Sequence, residues 1–170
     1  MKNRAGSNKG AFHEAGLFLL AVLAASIFGC ATAGAQGKAA PDFEVGLIGG
    51  GKASLSQYKG RPLVLNVSAS WCPHCITEIP ALKKVYDERS GDAEFLVIFV
   101  KSPKKDVESL IKKNALKFKV GFDPDAVVGK AYGVRGIPAT FFINRAGEIT
   151  DTYTGSITER ELGEKIDTIK

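Results

Sequence analysis

Histidine, methionine, tryptophan and cysteine are all scarce in this 170-residue chain, which has two, one, one and three of them. So few ligating side chains argue against most zinc sites: there is a single C-x-x-C, no second one, and no H-x₃₋₅-H. No apolar run reaches the 18 or so residues that mark a membrane-spanning helix. Internal repeats and low-complexity tracts are absent. Neither charge dominates. Lys and Arg number 23 against 18 Asp and Glu, a net charge of +5, and Lys2, Arg4 and Lys9 sit in the first ten residues. The rest of the chain is mildly and diffusely basic, which is no footprint for nucleic acid. What is present is globular: 45% hydrophobic and 24% charged residues, in a chain long enough for one sizeable core.

The first 35 residues read as an address. After the basic residues, Leu17 to Cys30 is apolar apart from Ser26, and the small residues Ala31, Ala33, Gly34 and Ala35 follow. A basic start, an apolar stretch and a small-residue tail form the pattern of a bacterial export signal. Two processing routes are open. Ala33-Gly34-Ala35 fits an A-x-A cleavage site, and Ile27-Phe28-Gly29-Cys30 resembles a lipobox in which Cys30 becomes lipidated. An uncleaved signal anchor is a third outcome. In each case residues 36–40 are a linker and residues 41–170 form a domain outside the cytoplasm, where disulfides persist.

Along residues 41–170 the pattern alternates. Phe43–Val45 and Lys52–Leu55 read as strands around the Gly49-Gly50-Gly51 turn. Leu63–Val67 and Glu94–Val100 are apolar runs suited to strands buried on both faces. Pro73 to about Glu88 and Asp106–Asn114 read as helices, the second with Val107, Leu110 and Ile111 on one face. Phe118–Phe122 reads as a strand and Ala126–Tyr132 as a short helix. Thr140–Ile143 and Glu148–Tyr153 form a hairpin. A last helix starts at the capping box Thr158-x-x-Glu161. The order predicts a mixed α/β sheet flanked by helices on both faces.

The chemistry gathers at Trp71-Cys72-Pro73-His74-Cys75. Cys72 ends the loop after a buried strand, and Pro73 suits the first helical position, where a missing N–H costs nothing. The helix N-terminus, its free N–H groups and His74 all favour a thiolate on Cys72, the reactive form. Cys75 lies one helical turn on, within disulfide reach. A two-residue loop removes little unfolded-state entropy, so an inert structural bridge is a weak alternative.

These residues, with Gly136-Ile137-Pro138-Ala139-Thr140 further on, resemble the thioredoxin fold and, more narrowly, the exported TlpA/ResA-like thiol–disulfide oxidoreductases. Pro41-Asp42-Phe43, Tyr58-Lys59-Gly60, Leu65-Asn66-Val67, the run from Ser68 to Cys75-x-x-Glu78-x-Pro80, and Ala131-Tyr132-Gly133-Val134 carry the likeness across residues 40–170. The resemblance implies a thioredoxin fold with an N-terminal β-hairpin and one extra αβ unit. The 63 residues from Cys75 to Pro138 leave room for that unit and no larger insertion. It also implies that Cys72 attacks, that Cys75 resolves, and that Glu78 exchanges a proton with Cys75. Pro138 would be a cis-proline facing the cysteines, the Ile137 backbone would pair with substrate, and Trp71 would flank the site. Two departures bear on redox direction: the Pro73-His74 dipeptide is that of oxidising relatives, and Ser68 replaces a large aromatic.

The implied function is a periplasmic dithiol reductase, at the outer face of the cytoplasmic membrane if anchored. Its redox-active Cys72–Cys75 pair would need no other cofactor and no metal. It would draw electrons from a membrane donor of the DsbD or CcdA type and reduce oxidised proteins such as apocytochrome c or copper-site assembly proteins. A disulfide oxidase or isomerase, favoured by His74, is the alternative; Ile137 before Pro138 stands against it. A peroxiredoxin would need Ser or Thr three residues before the cysteine and Pro seven before, where Ala69 and Leu65 stand. A copper-binding assembly module of the C-x-x-x-C type would need a distant histidine, and only His74 lies beyond the leader. The lysines at 104, 105, 112, 113, 117 and 119 read as a solvated basic face.

Overall fold

The computed structural model describes residues 37–170. The leader, and Cys30 with it, lies outside the described residues.

Eight strands form one sheet in the order β1-β8-β7-β4-β5-β6-β2-β3. β4 (Leu63–Ser68) and β5 (Glu94–Val100) are the apolar runs noted above, and they pair in parallel near the middle. β6 (Lys119–Asp123) extends them, again in parallel. β7 (Ala139–Ile143) lies antiparallel on the other side of β4 and turns into β8 (Glu148–Thr154). The hairpin of β2 (Glu44–Leu47) and β3 (Lys52–Ser54) joins the sheet through β6. The extra αβ unit is therefore α2 (Lys104–Asn114) with β6, inserted between the central strands and the hairpin.

Side-chain alternation along the strands makes two cores. Leu63, Leu65 and Val67 of β4 share one face with Leu96, Ile98 and Val100 of β5, covered by Val128 of α3 (Val127–Ala131) and by Tyr58. Val64, Phe95, Val97 and Phe99 share the other face. It is covered by Leu82 and Val85 of α1 (Pro73–Arg89), Val107 of α2, and Leu162 and Ile166 of α4 (Glu159–Asp167). Helices thus stand on both faces, as the pattern predicts. On β4 the face toward α1 continues past Val64 as Asn66 and Ser68, and both are buried.

Three local features differ from the sequence expectation. Lys38–Ala39, expected as linker, is a short strand, β1, paired antiparallel with β8. Gly37 permits this approach: a Cβ there would lie 2.7 Å from the Ile149 carbonyl oxygen. Leu55–Tyr58 forms a 3₁₀ turn, and it opens on the capping box of Ser54 and Gln57. α2 begins two residues earlier than its apolar periodicity suggests, directly after Pro103, because Pro at a helix boundary forgoes no hydrogen bond. Pro80 stands inside α1, which runs unbroken to Arg89.

Candidate active site

Strand order brings distant residues together at the C-terminal end of β4. The chain leaves β4 at Ser68, turns with Cys72 N bonded to the Ala69 carbonyl at 3.2 Å, and enters α1 at Pro73. β7 begins beside that exit, with Ala139 opposite Val67. The segment just before β7 therefore faces the turn. The Ile137–Pro138 bond is cis, as the resemblance implies, and the Ile137 carbonyl oxygen lies 3.8 Å from Cys72 Sγ.

Cys72 is the N-cap of α1. It is extended, with φ −92° and ψ 114°, and its Sγ accepts a hydrogen bond from Cys75 N at 3.2 Å. That bond occupies one of the free amides at the helix start. Both cysteines are free thiols, yet they are not equivalent. Cys72 keeps 6% of its surface, whereas Cys75 keeps 1%. Burial, then the hydrogen bond with Cys72, pushes the Cys75 thiol up to about 12. An attack by Cys75 therefore needs a base.

Glu78 supplies a candidate. It lies one turn below Cys75 and is 2% exposed, not the solvated residue that a glutamate in this sequence position would ordinarily be. Burial raises its carboxyl to about 7, against the pull of two hydrogen bonds that favour the charged form. Those bonds come from elements far apart in sequence. Asn66 Nδ2 donates to Oε1 at 2.7 Å, and Ile157 N donates to Oε2 at 3.0 Å. Asn66 is itself fixed by Thr140 and Ser68. Its Nδ2 also donates to Thr140 Oγ1 at 2.9 Å, and Ser68 Oγ donates to Asn66 Oδ1 at 2.6 Å. Four buried polar side chains on β4, α1 and β7 thus form one connected, satisfied network in an otherwise apolar layer.

The sequence reading missed Asn66, Ser68 and Thr140 as a group. A signal was available: an amide and two hydroxyls interrupt strands whose other residues are apolar, and buried polar groups need partners. Ser68, noted above only as a departure from the resemblance, is the group that orients Asn66. Ser102 was missed too. Its hydroxyl accepts from Ser70 N at 2.9 Å and donates to the Val100 carbonyl, pinning the cysteine loop to the end of β5.

The residues flanking the two cysteines sit on the rim. Trp71 is 60% exposed, and its indole N–H donates to the Lys101 carbonyl at 2.9 Å. The ring thus stands fixed beside Cys72 with its face open. His74 is exposed, and its carbonyl accepts from Thr77 and Ser156 hydroxyls, both at 3.0 Å. Pro73 holds the first helical position as the sequence suggests. Among the described residues, no three His, Cys, Asp or Glu side chains converge as a metal site, and no helix is long and apolar enough to cross a membrane.

Chemically, this is a dithiol with one approachable and one sheltered sulfur, a buried carboxylate behind the sheltered one, and a backbone carbonyl beside the approachable one. Residues 36–152 match the AhpC/TSA family. The chain is 33% identical over 160 residues to the thiol-disulfide oxidoreductase ResA of Geobacillus thermodenitrificans, covering 91% of each. Its fold superposes on StoA of Bacillus subtilis with a TM-score of 0.65 at 30% identity, covering 74% of this chain and 96% of that one. It superposes on the pneumococcal exposed lipoprotein thioredoxin Etrx1 of Streptococcus pneumoniae with a TM-score of 0.65 at 26% identity, covering 75% and 98%. The fold is that of thioredoxin.

Proposed function

This chain belongs to the AhpC/TSA family and is a thiol–disulfide oxidoreductase of the thioredoxin-like kind, and we propose that it works outside the cytoplasm as a dithiol reductant of exported proteins. The observation that carries the reading is the pairing of an approachable Cys72 with a sheltered Cys75 above buried Glu78. Ala69 and Leu65 do not fit the pattern around a peroxidatic cysteine, so the family kinship is one of fold and thiol chemistry.

In the proposed cycle the Cys72 thiolate attacks a substrate disulfide. A Cys72–substrate mixed disulfide forms, and one substrate thiolate leaves. Cys75 then gives its proton to the Glu78 carboxylate as its sulfur attacks Cys72 Sγ. The second substrate thiolate leaves, the Cys72–Cys75 disulfide remains, and two electrons have passed to the substrate. The Ile137 backbone holds the substrate chain in extended form beside Cys72. A membrane donor of the DsbD or CcdA type restores the dithiol. Haem-site cysteines of apocytochrome c and copper-site assembly proteins are the proposed substrates.

The basic and apolar leader supports export, and one similar structure is named an exposed lipoprotein. Ile137 before Pro138 and the single αβ insertion favour the reductant. His74 favours a second reading, a disulfide oxidase or isomerase. Equilibrating the purified protein with glutathione redox buffers decides between them. The proposed reductant should have a potential on the reducing side of roughly −180 mV, toward the roughly −270 mV of thioredoxin. A value near roughly −120 mV establishes the oxidase instead.

A further inference from the structure

We propose that the groove beside Cys72 selects substrate segments carrying acidic side chains next to the target cysteine. The inference rests on the reductant reading and adds the substrate's chemistry to it.

A groove of about 330 Å³ opens along the surface between the end of β5, α3 and the segment before Pro138. Trp71 and Ile137 line it at the Cys72 end, so a chain held at Cys72 by the Ile137 backbone continues into it. Its apolar part includes Val100. Its charged side chains are Lys101, Lys130 and Arg135, and no carboxylate lines it. All three cations are exposed, and none forms an ion pair among the described residues. Elsewhere on the surface, lysines and arginines commonly do so, as Lys83 does with Asp87 and Arg160 with Glu164.

The nearby acids do not neutralise the groove. Asp123 is buried, and its two carboxylate oxygens accept from Val127 N and Val128 N at 2.9 Å each, at the start of α3. Asp125 is exposed on the same turn and is not among the lining residues. A positive groove with an apolar floor therefore begins at Trp71 and Ile137, the residues that flank Cys72. The complementary occupant is an extended, cysteine-bearing segment with Asp or Glu beside apolar residues. Exposed charges of this kind act chiefly on encounter rate and on rejection of like-charged partners.

The test uses the full-length reduced protein and two synthetic peptides, each closed by one C-x-x-C disulfide. One peptide is flanked by glutamates and the other by lysines. The acidic peptide should be reduced at least about tenfold faster at low ionic strength, and the advantage should shrink toward parity in about 0.5 M salt. Reversing two groove charges in a K130E/R135E variant should abolish or invert the ratio. A K112E/K113E variant makes the same change in net charge on α2, remote from the groove, and should keep the ratio. Because each ratio compares two peptides on one protein sample, partial loss of folded protein does not disturb it.

Equal rates for the two peptides in the unmutated protein would overturn the inference. So would a preference that survives K130E/R135E, or one that K112E/K113E removes equally. If neither peptide nor the neutral 2-hydroxyethyl disulfide is reduced at all, the reductant reading itself fails and takes this inference with it.

Discussion

Burial holds the Glu78 carboxyl up to about 7, where it would ordinarily ionise at 4.5, and this difference couples its proton to folding as well as to chemistry. Between these two values the unfolded chain has released the proton and the native chain retains it. Stability therefore falls as pH rises from about 4.5 to 7, by about 3 kcal/mol in all. Glu78→Gln removes that dependence. In urea unfolding, the difference between variant and parent should shift toward the variant across this window, and a flat difference would contradict a buried titrating carboxyl. The same variant should slow resolution by Cys75 by about 10²–10⁴-fold, seen as accumulation of the Cys72 mixed disulfide. His74→Pro tests the proposal that the His74 side chain favours the reduced form of the pair. It should lower the potential by about 30 mV for each 1.4 kcal/mol lost, and an unmoved potential would confine His74 to its backbone contacts. At this scale the cysteines were legible because local sequence places them: a buried strand, a turn, then Pro73. The burial of Glu78 was not. Its partners Asn66 and Ile157 lie 12 and 79 residues away, and no local pattern records such a meeting.

Elements were legible where they carry their own signals. The Thr158-x-x-Glu161 box forms as written, with Thr158 Oγ1 accepting from Glu161 N and Glu161 Oε2 accepting from Thr158 N. It starts α4 immediately after Ile157, whose amide holds Glu78. Thr158→Ala should therefore cost about 1 kcal/mol in denaturant unfolding. Retention of full stability would show that packing of Leu162 and Ile166 alone fixes the helix. β4 and β5 were legible as unbroken apolar runs. β1 was not, since two residues of small and basic character have no periodicity; only the open edge of β8 and the bare Cα of Gly37 make it a strand. The 3₁₀ turn at Leu55–Tyr58 was hidden for a similar reason: it is a single turn whose only cue is a capping box one residue before it.

Neighbour relations across the whole sheet follow from long-range pairing, so local propensity does not record the strand order; the family resemblance implied the fold class and the extra αβ unit. That order sets Cys72 and Ile137 side by side at one end of β4. Beyond this domain, the lipobox reading of Cys30 makes a prediction for the full chain. Cys30→Ala should move the protein from the membrane fraction to the soluble periplasmic fraction, because a lipoprotein carries more than one acyl chain and is firmly held. Finding the unmutated protein soluble would refute that route. Within the domain, the sulfur proposed to attack is also the atom that closes the first turn of α1, through the Cys75 amide at 3.2 Å. A sulfur drawn into a disulfide carries no charge and accepts that bond more weakly. The Cys75 amide proton is therefore a built-in gauge of oxidation state: its resonance frequency and its rate of deuterium exchange change with every turnover, so the working protein can be followed without a reagent touching either thiol.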